Sequence, residues 1–184
     1  ETSGVSVDLM GFSLTGDGTS SYPDNDYGIY VDGSTNAVID RVTIKGGSIS
    51  GFYYGLFCMH MNNSRIEQMV VSGNNSFGVY LNGYQGQCNG NTIADCSISD
   101  NTSIGVYLRG YQGQCDGNTI ADCSISDNNS YGVYLNGYQG QCNGNTIADC
   151  NISGNGNRGV YVDAQSGQCD GNTIADCSIS DNNS

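Results

Sequence analysis

The sequence has no tryptophan, a single proline and few basic residues, and each shortage narrows what the chain can do. Its 184 residues include 5 Lys and Arg against 18 Asp and Glu, which gives a formal net charge of −13. This charge excludes nucleic acid as a partner, because phosphate neutralisation needs a basic surface. No apolar run reaches the roughly 20 residues of a membrane-spanning helix. We therefore predict neither a nucleic-acid partner nor a membrane span.

Cysteine and glycine, in contrast, are abundant, with 9 and 28 residues respectively. The close C-x-x-C pairs of zinc sites do not occur, and the recurring spacing is C-x7-C, so the cysteines indicate disulfide bonds in an oxidising compartment. The sequence starts without a basic and apolar leader, and we expect that any signal peptide has been removed. The predicted location is extracellular or at the cell surface.

A 27-residue repeat organises most of the chain. Four near-identical units follow one another from Phe77 onward, and their shared text is close to xGVYLNGYQGQCNGNTIADCSISDNNS. A unit of 23 residues, Tyr54–Ser76, precedes them, and Tyr27–Tyr53 and a partial unit over Val5–Asp26 come before it. A fixed period of this length is typical of a solenoid.

Each unit holds two alternating segments, GVYLN and TIADCSIS, separated by Gly, Asn, Asp and Ser. Their β-branched and aromatic residues favour strands, and no segment has the apolar period of a helix. Two or three short strands in each coil predict an all-β fold, a parallel β-helix (β-solenoid) of about seven coils. We predict a single domain over residues 1–184, with irregular coils over 1–76 and four near-identical coils over 77–184.

Equivalent residues of successive coils lie about 4.8 Å apart in such a fold and form columns along its axis. Four apolar columns are predicted to face inward, and in the first regular coil they begin at Val79, Leu81, Ile93 and Ile98. An asparagine ladder, in which each side-chain amide bonds the next, is predicted at a turn: Asn91, Asn118, Asn145 and Asn172. Two tyrosine columns are predicted to face outward and to offer lateral contacts to other chains, and the first is also predicted to stack as a ladder: Tyr80, Tyr107, Tyr134 and Tyr161, and Tyr84, Tyr111 and Tyr138.

This pattern resembles the right-handed parallel β-helix repeat family, which includes pectate lyases, alginate epimerases, phage tailspikes and NosD-like surface proteins. The resemblance covers nearly the whole chain and is most typical over YGIYVDGSTNAVIDRVTIKG, Tyr27–Gly46. It implies a right-handed solenoid and leaves the activity open, because one fold carries many functions. The acidic composition, recurring cysteines and uncapped coils also resemble the surface-sheath proteins of methanogenic archaea.

The cysteines form two columns and leave one residue over. The first column follows the loop GYQGQ, and the second lies two residues before an inward isoleucine: Cys88, Cys115, Cys142 and Cys169, and Cys96, Cys123, Cys150 and Cys177. Disulfides within each coil and disulfides between stacked neighbours of one column are both compatible with the expected spacing. The inner column alternatively serves as small apolar packing. Cys58 is predicted to be unpaired or to link two chains.

Three further groups are candidates for a metal or a modification. Cys58, Met59, His60 and Met61 include soft copper ligands, but alternate residues of a strand face opposite sides, so core packing is favoured. A column of outward-facing carboxylates is a weak candidate for a Ca²⁺ site, and the alternative is that it is only a solvent-exposed acidic stripe: Asp95, Asp122, Asp149 and Asp176. Six sequons are candidates for glycosylation, although asparagine equally suits tight turns: Asn62, Asn74, Asn101, Asn128, Asn151 and Asn182. No other cofactor is predicted.

Near-identical coils argue against an active site, which needs different residues converging at one place. The catalytic motifs of pectate lyases, polygalacturonases and epimerases are also missing, so we predict that the protein is not an enzyme. Uncapped coils with open β edges predict an extracellular structural protein that assembles with copies of itself, end to end and laterally, into a filament, hoop or sheath reinforced by disulfides. The alternative is a carbohydrate-binding or carbohydrate-active β-helix (adhesin, tailspike or lyase-like), whose tyrosines stack on a polysaccharide.

Overall fold

The alternating segments of each unit form short parallel strands that wind around one axis. The computed structural model describes residues 4–19 and 26–183, and these residues contain strands and no α-helix. The irregular coils hold β1 (Ser6–Asp8), β2 (Ser13–Thr15), β3 (Tyr27–Asp32), β4 (Ile39–Asp40), β5 (Thr43–Ser50), β6 (Tyr54–Met59), β7 (Met61–Asn62) and β8 (Arg65–Ser72). The regular coils hold β9 (Val79–Asn82), β10 (Thr92–Ala94), β11 (Ser97–Ser99), β12 (Val106–Arg109), β13 (Thr119–Ala121), β14 (Ser124–Ser126), β15 (Val133–Asn136), β16 (Thr146–Ala148), β17 (Asn151–Ser153), β18 (Val160–Asp163), β19 (Thr173–Ala175) and β20 (Ser178–Ser180).

Two parallel sheets run along the solenoid. The six-stranded sheet takes one strand from each of six coils, in the order β18-β15-β12-β9-β6-β3. The twelve-stranded sheet contains the long strands β5 and β8. In each coil after β8, two short strands, such as β10 and β11, take the place of one long strand. A pair of two-residue strands, β4 and β7, completes the irregular coils. Within the described residues, no helix has the length and apolar character that a membrane crossing requires.

The predicted all-β parallel solenoid is confirmed, with about six turns where about seven were expected. The difference lies in the partial unit over Val5–Asp26, because β1 and β2 pair only with β5 and contribute nothing to the six-stranded sheet. Residues 20–25 of that unit lie outside the described residues.

The regular coils pair in register at a spacing of 27 residues, so identical side chains stack along the axis. Val79 pairs with Val106 and Val106 with Val133. The inward columns form the core: Val106, Leu108, Ile120 and Ile125 are all 0% exposed. The same columns are more exposed in the last coil, where Ile174 is 48% exposed, because each inward side chain is covered in part by the coil that follows.

The bend between the two short strands of each coil needs a left-handed backbone. Asp95 has a φ of 54° at this bend, and the irregular coils place Gly46 (φ 73°) and Gln68 (φ 54°) there. Aspartate and glycine are among the residues that enter this region most readily. The aspartate column predicted from the repeat therefore occupies the bend, and backbone geometry accounts for it.

Candidate functional site

The loops that follow the six-stranded sheet form a regular polar surface. Residues 83–88, 110–115 and 137–142 each read Gly-Tyr-Gln-Gly-Gln-Cys. A Cβ on Gly83 would lie 1.8 Å from the carbonyl oxygen of Gln114, so the loops stack closely on one another. We call the outer surface of these loops the tyrosine–glutamine face. Its members are Tyr84, Tyr111, Tyr138, Gln85, Gln112, Gln139, Gln87, Gln114 and Gln141, together with Gln168 from the equivalent position of the last coil.

The tyrosines of this face stack ring on ring along the axis. The ring centroids of Tyr84 and Tyr111 are 5.4 Å apart with an interplanar angle of 17°, and those of Tyr111 and Tyr138 are 5.3 Å apart at 18°. Because the ring faces are directed at one another, the ladder presents ring edges to a ligand. This differs from the expected stacking of sugars on open ring faces.

The glutamines form two amide ladders beside the tyrosines. In the first, the Nε2 of Gln85 donates to the Oε1 of Gln112 at 3.2 Å, and Gln112 donates to Gln139 at 3.0 Å. In the second, four glutamines are joined in the same direction by bonds of 3.1, 3.0 and 3.3 Å: Gln87, Gln114, Gln141 and Gln168. Every bond runs from an amide N–H to the carbonyl of the next coil, so both ladders have one polarity.

The other tyrosine column stacks as regularly but is largely covered. Tyr80 and Tyr107 lie 4.9 Å apart at 8°, as part of a column of stacked rings on the outer side of the six-stranded sheet. They are only 5% and 9% exposed, because a second row that includes Phe77 and Ile104 packs against them. This burial leaves Tyr80 and Tyr107 unable to make the lateral contacts that their outward direction predicted.

Arg109 joins the two tyrosine columns. Its Nη1 donates to the hydroxyl oxygen of Tyr80 at 3.0 Å, and its guanidinium carbon lies 4.7 Å from the ring centroid of Tyr111. Burial raises the pKa of Tyr80 well above its usual range, so the hydroxyl stays neutral and accepts this bond. The arginine therefore fixes the base of the tyrosine–glutamine face to the sheet.

A cavity of about 440 Å³ lies at one end of the face, where the coil Tyr54–Ser76 lacks a loop. This coil is the third when the partial unit Val5–Asp26 is counted as the first. The loop after β3 has six residues, 33–38, and the loop after β9 has five, 83–87. The equivalent position after β6 has His60 alone. The missing loop leaves a gap between the loops of the second and fourth coils. The residues around this gap are Thr35, Val38, Gln85, Gly86, Gln87, Gln112, Gly113 and Gln114.

His60 lies beneath this cavity and connects three coils. The side chain is 4% exposed, with Nδ1 at 3.1 Å from the carbonyl oxygen of Gly33 and Nε2 at 2.9 Å from that of Tyr84. Cys58 and Met61 face the core, while Met59 packs against the outer aromatic cluster. The four residues therefore do not converge on one point. In the described part of the chain, no group of three or more His, Cys, Asp or Glu could hold a metal ion.

Charge is distributed unevenly around the solenoid. The three GYQGQC loops contain no Asp or Glu. Asp116 follows one of these loops, and Asp163 and Asp170 flank the equivalent segment of the last coil. Other carboxylates line the bends of the twelve-stranded sheet, where the weak Ca²⁺ candidates are exposed and, among the described residues, form no group that could hold a metal: Asp95, Asp122, Asp149 and Asp176. The tyrosine–glutamine face is thus a neutral surface on an acidic protein.

The sequence-predicted asparagine ladder is joined by side-chain bonds of 3.0 to 3.1 Å: Asn91, Asn118, Asn145 and Asn172. A second ladder, not recognised from the sequence, uses Asn155 and four asparagines that were interpreted as sequons. It consists of Asn74, Asn101, Asn128, Asn155 and Asn182, with side-chain bonds of 2.9 to 3.0 Å. The recurrence of asparagine every 27 residues was the signal that could have revealed it.

Burial leaves no room for a glycan on most of this second ladder. Asn74, Asn101 and Asn128 are 0% exposed, and their Nδ2 atoms, to which a glycan would be attached, donate within the ladder. Asn182 is half-buried in the same ladder, and the half-buried Asn62 accepts a bond from the backbone N–H of Asn89. The sequon asparagine with an exposed side chain is Asn151.

Both cysteine columns lie in the core, including the one expected to lie in the loop. Cys88, Cys115 and Cys142 are 0% exposed, and their column begins with Ile39 and Met61 in the irregular coils. The loop ends one residue earlier than its sequence indicated. These cysteines therefore occupy apolar packing positions, in the same way as the second column: Cys96, Cys123, Cys150 and Cys177.

All nine cysteines are free thiols in the structure. The thiol of Cys115 has Cys88 and Cys142 as neighbours, so contacts run along the column. A disulfide remains a prediction, for which stacked neighbours are the residues that the fold brings together. Cys58 is fully buried beside Cys88, so its thiol is out of reach of a second chain. The same burial raises the pKa of this thiol.

The geometry of stacked parallel coils agrees with a known family. The family described as a right-handed β-helix region matches residues 27–184. The chain belongs to the right-handed β-helix family. No curated protein sequence matches it.

Solved structures with this right-handed β-helix include two A-modules from Azotobacter vinelandii. That of the mannuronan C-5 epimerase AlgE4 is 18% identical with a TM-score of 0.64, over 92% of this chain and 50% of that one. That of the mannuronan C-5 epimerase AlgE6 is 19% identical with a TM-score of 0.65, over 97% and 56%. A third, the Agl-KA catalytic domain, is 17% identical with a TM-score of 0.55, over 84% and 36%.

These neighbours contradict the prediction that the protein is not an enzyme, because they are named as epimerase modules and as a catalytic domain. The absence of known motifs and the near-identity of the coils were too weak a basis for that prediction. The likeness itself, at 17–19% identity, shows the shared fold. The chain spans about half the length of the two epimerase modules.

Proposed function

We propose that this protein is a carbohydrate-directed β-helix that binds a linear polysaccharide along the tyrosine–glutamine face. The observation that carries the proposal is the set of parallel side-chain ladders, with Tyr84, Tyr111 and Tyr138 beside two rows of glutamine. Successive rungs are separated by one coil, about 4.8 Å, which is close to the length of one pyranose unit in an extended polysaccharide. Each sugar can therefore meet an equivalent rung. Structural neighbours named as mannuronan epimerases support a carbohydrate ligand.

The amide ladders retain hydrogen-bonding capacity for sugar hydroxyls. A glutamine amide has two N–H donors and an oxygen with two lone pairs. The ladder bond from Gln112 to Gln139 uses one N–H of the first residue and one lone pair of the second. Gln112 and Gln141 therefore each keep one donor and one acceptor, whereas the Oε1 of Gln114 also accepts a bond from Asn89 and only its second N–H is left. The tyrosine edges offer apolar contact to the C–H groups of a sugar ring.

Charge favours a neutral polysaccharide over a uronate polymer such as the mannuronan that the names of the structural neighbours specify. The protein has a net charge of −13, and its three GYQGQC loops bring no charge of their own. The nearest cation, Arg109, is already bound to Tyr80 and stacked on Tyr111. An acidic polymer would be repelled by the surrounding field, whereas hydroxyl groups would not.

Affinity electrophoresis tests the proposal with gels that contain β-glucan, mannan, alginate or polygalacturonate. We expect a neutral polymer to retard the protein and Tyr111→Ala to weaken this retardation by about tenfold. The matched control is Phe12→Ala, which removes a ring that is 74% exposed and lies outside the face. The proposal fails if no polysaccharide retards the protein, or if Phe12→Ala weakens retardation as much as Tyr111→Ala does.

Assembly with copies of itself and an extracellular or cell-surface location stay predictions from the sequence. Both are compatible with polysaccharide binding, because a cell-surface solenoid would meet polysaccharides there.

A further inference from the structure

We infer that the cavity left by the missing loop of the third coil binds the terminal sugar of the polysaccharide. The inference rests on the proposed binding along the tyrosine–glutamine face. It adds that the face is closed at this end, so that a bound chain has a defined end and a defined direction.

The cavity lies at the first rungs of the two glutamine ladders, next to the loop of residues 33–38. Residues 33–38 of the second coil stand on one side, and Gln85 and Gln87, the first rungs of the ladders, stand on the other. A volume of about 440 Å³ lies in the range of small-ligand pockets and accommodates one or two sugar rings. In this proposal, a chain lying along the face ends where it meets residues 33–38.

The polarity of the ladders gives this end a particular chemistry. Each glutamine donates its N–H to the next coil, so the Oε1 atoms of Gln112 and Gln114 accept bonds from the preceding rung. Gln85 and Gln87 are the first rungs, and no preceding rung donates to their Oε1 atoms in the described residues. Two carbonyl oxygens at the cavity are therefore available to accept bonds from hydroxyl groups.

The aromatic ladder differs at this end in the same way. Tyr84 is 37% exposed, whereas Tyr111, which stacks between Tyr84 and Tyr138, is half-buried. Tyr111 stacks on one side of the Tyr84 ring, and the coil on the other side has no loop to supply a further ring. The Tyr84 ring thus has more surface for contact with a sugar than the inner Tyr111 ring has.

His60 holds the base of the cavity in place. Its two ring nitrogens contact the carbonyl oxygens of Gly33 and Tyr84, one from each loop that flanks the gap. A Cβ on Gly86 would lie 2.4 Å from the His60 ring, so this part of the loop rests directly on the histidine. His60 is therefore a positioning residue for both walls.

The ligand class that fits is a neutral hexose with free hydroxyl groups. The acceptor oxygens of Gln85 and Gln87 bind hydroxyl donors, and the amide N–H that each residue does not use in its ladder binds a hydroxyl acceptor. Thr35 adds a hydroxyl, and Val38 adds an apolar contact for the C–H face of the ring.

Two matched substitutions of exposed valines test the inference. Val38→Trp fills the cavity, and Val70→Trp places the same bulk on the twelve-stranded sheet, where Val70 is 46% exposed. Calorimetric titration with cellohexaose, laminarihexaose and mannohexaose measures binding of short chains, and affinity electrophoresis in β-glucan and mannan measures binding of long chains. We expect Val38→Trp to weaken hexasaccharide binding by about tenfold and to leave polymer retardation within about twofold. Val70→Trp should change neither quantity.

The outcomes separate this inference from the proposed function. If polymers bind and Val38→Trp leaves hexasaccharide affinity unchanged, or weakens both quantities equally, the cavity does not bind a chain end and the face still binds polysaccharide. The same conclusion follows if the unmodified protein binds polymers but no hexasaccharide. If it binds neither, the proposed function and this inference are both overturned.

Discussion

The third coil, Tyr54–Ser76, and the regular coils after it build the same columns from different side chains. Met61 occupies the column that continues as Cys88, and Phe57 pairs with Tyr80. Ser64 stands at the asparagine-ladder position, where its Oγ accepts the backbone N–H of Val42 and its own N–H donates to Asn91. The solenoid thus requires a volume or a hydrogen-bonding group at each position, and more than one residue type can supply it.

The two regions differ in their loops more than in their columns. The loop of a regular coil has five residues, such as 83–87, where the third coil has only His60. The core continues unchanged past this deletion, because the inward strands on either side keep their pairing. Loop length can therefore vary from coil to coil without disturbing the solenoid, and the cavity is the local result.

The largest expected effect comes from breaking a ladder that both regions share. Asn128→Ala removes an acceptor for the N–H and Nδ2 of Asn101 and a donor to Asn155. Because these groups are buried, we expect the free energy of unfolding to fall by about 2–4 kcal/mol. Urea unfolding measures it.

The control for this prediction is Asn182→Ala, at the half-buried end of the same ladder. Its loss should be clearly smaller, because water can replace the missing partner. Equal losses at the two positions would show that burial does not determine the strength of the ladder.

A smaller effect is expected where cysteine replaces the larger apolar residues of the irregular coils. If Cys115 serves as apolar packing, Cys115→Val should change the unfolding free energy by less than about 1.5 kcal/mol in reductant. Cys115→Ser should lower it by about 1–3 kcal/mol, since it buries a hydroxyl.

The same measurement without reductant tests for a disulfide between stacked cysteines. If the unmodified protein gains stability on oxidation and Cys115→Val does not, Cys115 is bonded to a neighbour, and peptide mapping will identify Cys88 or Cys142 as its partner. If oxidation changes neither protein, Cys115 acts as packing alone.

The smallest effect on stability is expected in a column that alternates asparagine with aspartate: Asn89, Asp116, Asn143 and Asp170. Burial raises the pKa of Asp116, although its carboxylate accepts the backbone N–H of Asn143. A raised pKa in the folded state means that the protonated form is favoured, so stability from this group is present in acid and is lost as the pH rises through that pKa. Asp116→Asn should therefore raise the melting temperature slightly at neutral pH.

Thermal melts at neutral pH and near pH 3 check this sign, because the gain should disappear when the native carboxyl is protonated. Asp170→Asn, at the exposed position of the same column, serves as the control and should change little. If Asp116→Asn raised the melting temperature more in acid than at neutral pH, the raised pKa of Asp116 would be contradicted.

The repeat made the fold predictable, and its in-register columns followed from the 27-residue spacing. The burial of Tyr80 was not predictable in the same way, because it depends on a second row of side chains, Phe77 and Ile104, that packs across coils. The inward position of Cys88 was missed because the sequence does not mark where the loop ends. The cavity was implied by the 23-residue length of the third unit, but its depth depends on how the flanking loops stack over His60.

The stacking of interchangeable coils has one further consequence, for how such a protein can change over generations. Gain or loss of one 27-residue unit would add or remove one complete rung of the tyrosine and glutamine ladders while every remaining contact keeps its geometry. Because a repeat contacts only its neighbours, the solenoid would tolerate such a change in length. The reach of the protein along a polymer would then be inherited as a copy number, adjusted in steps of about 4.8 Å.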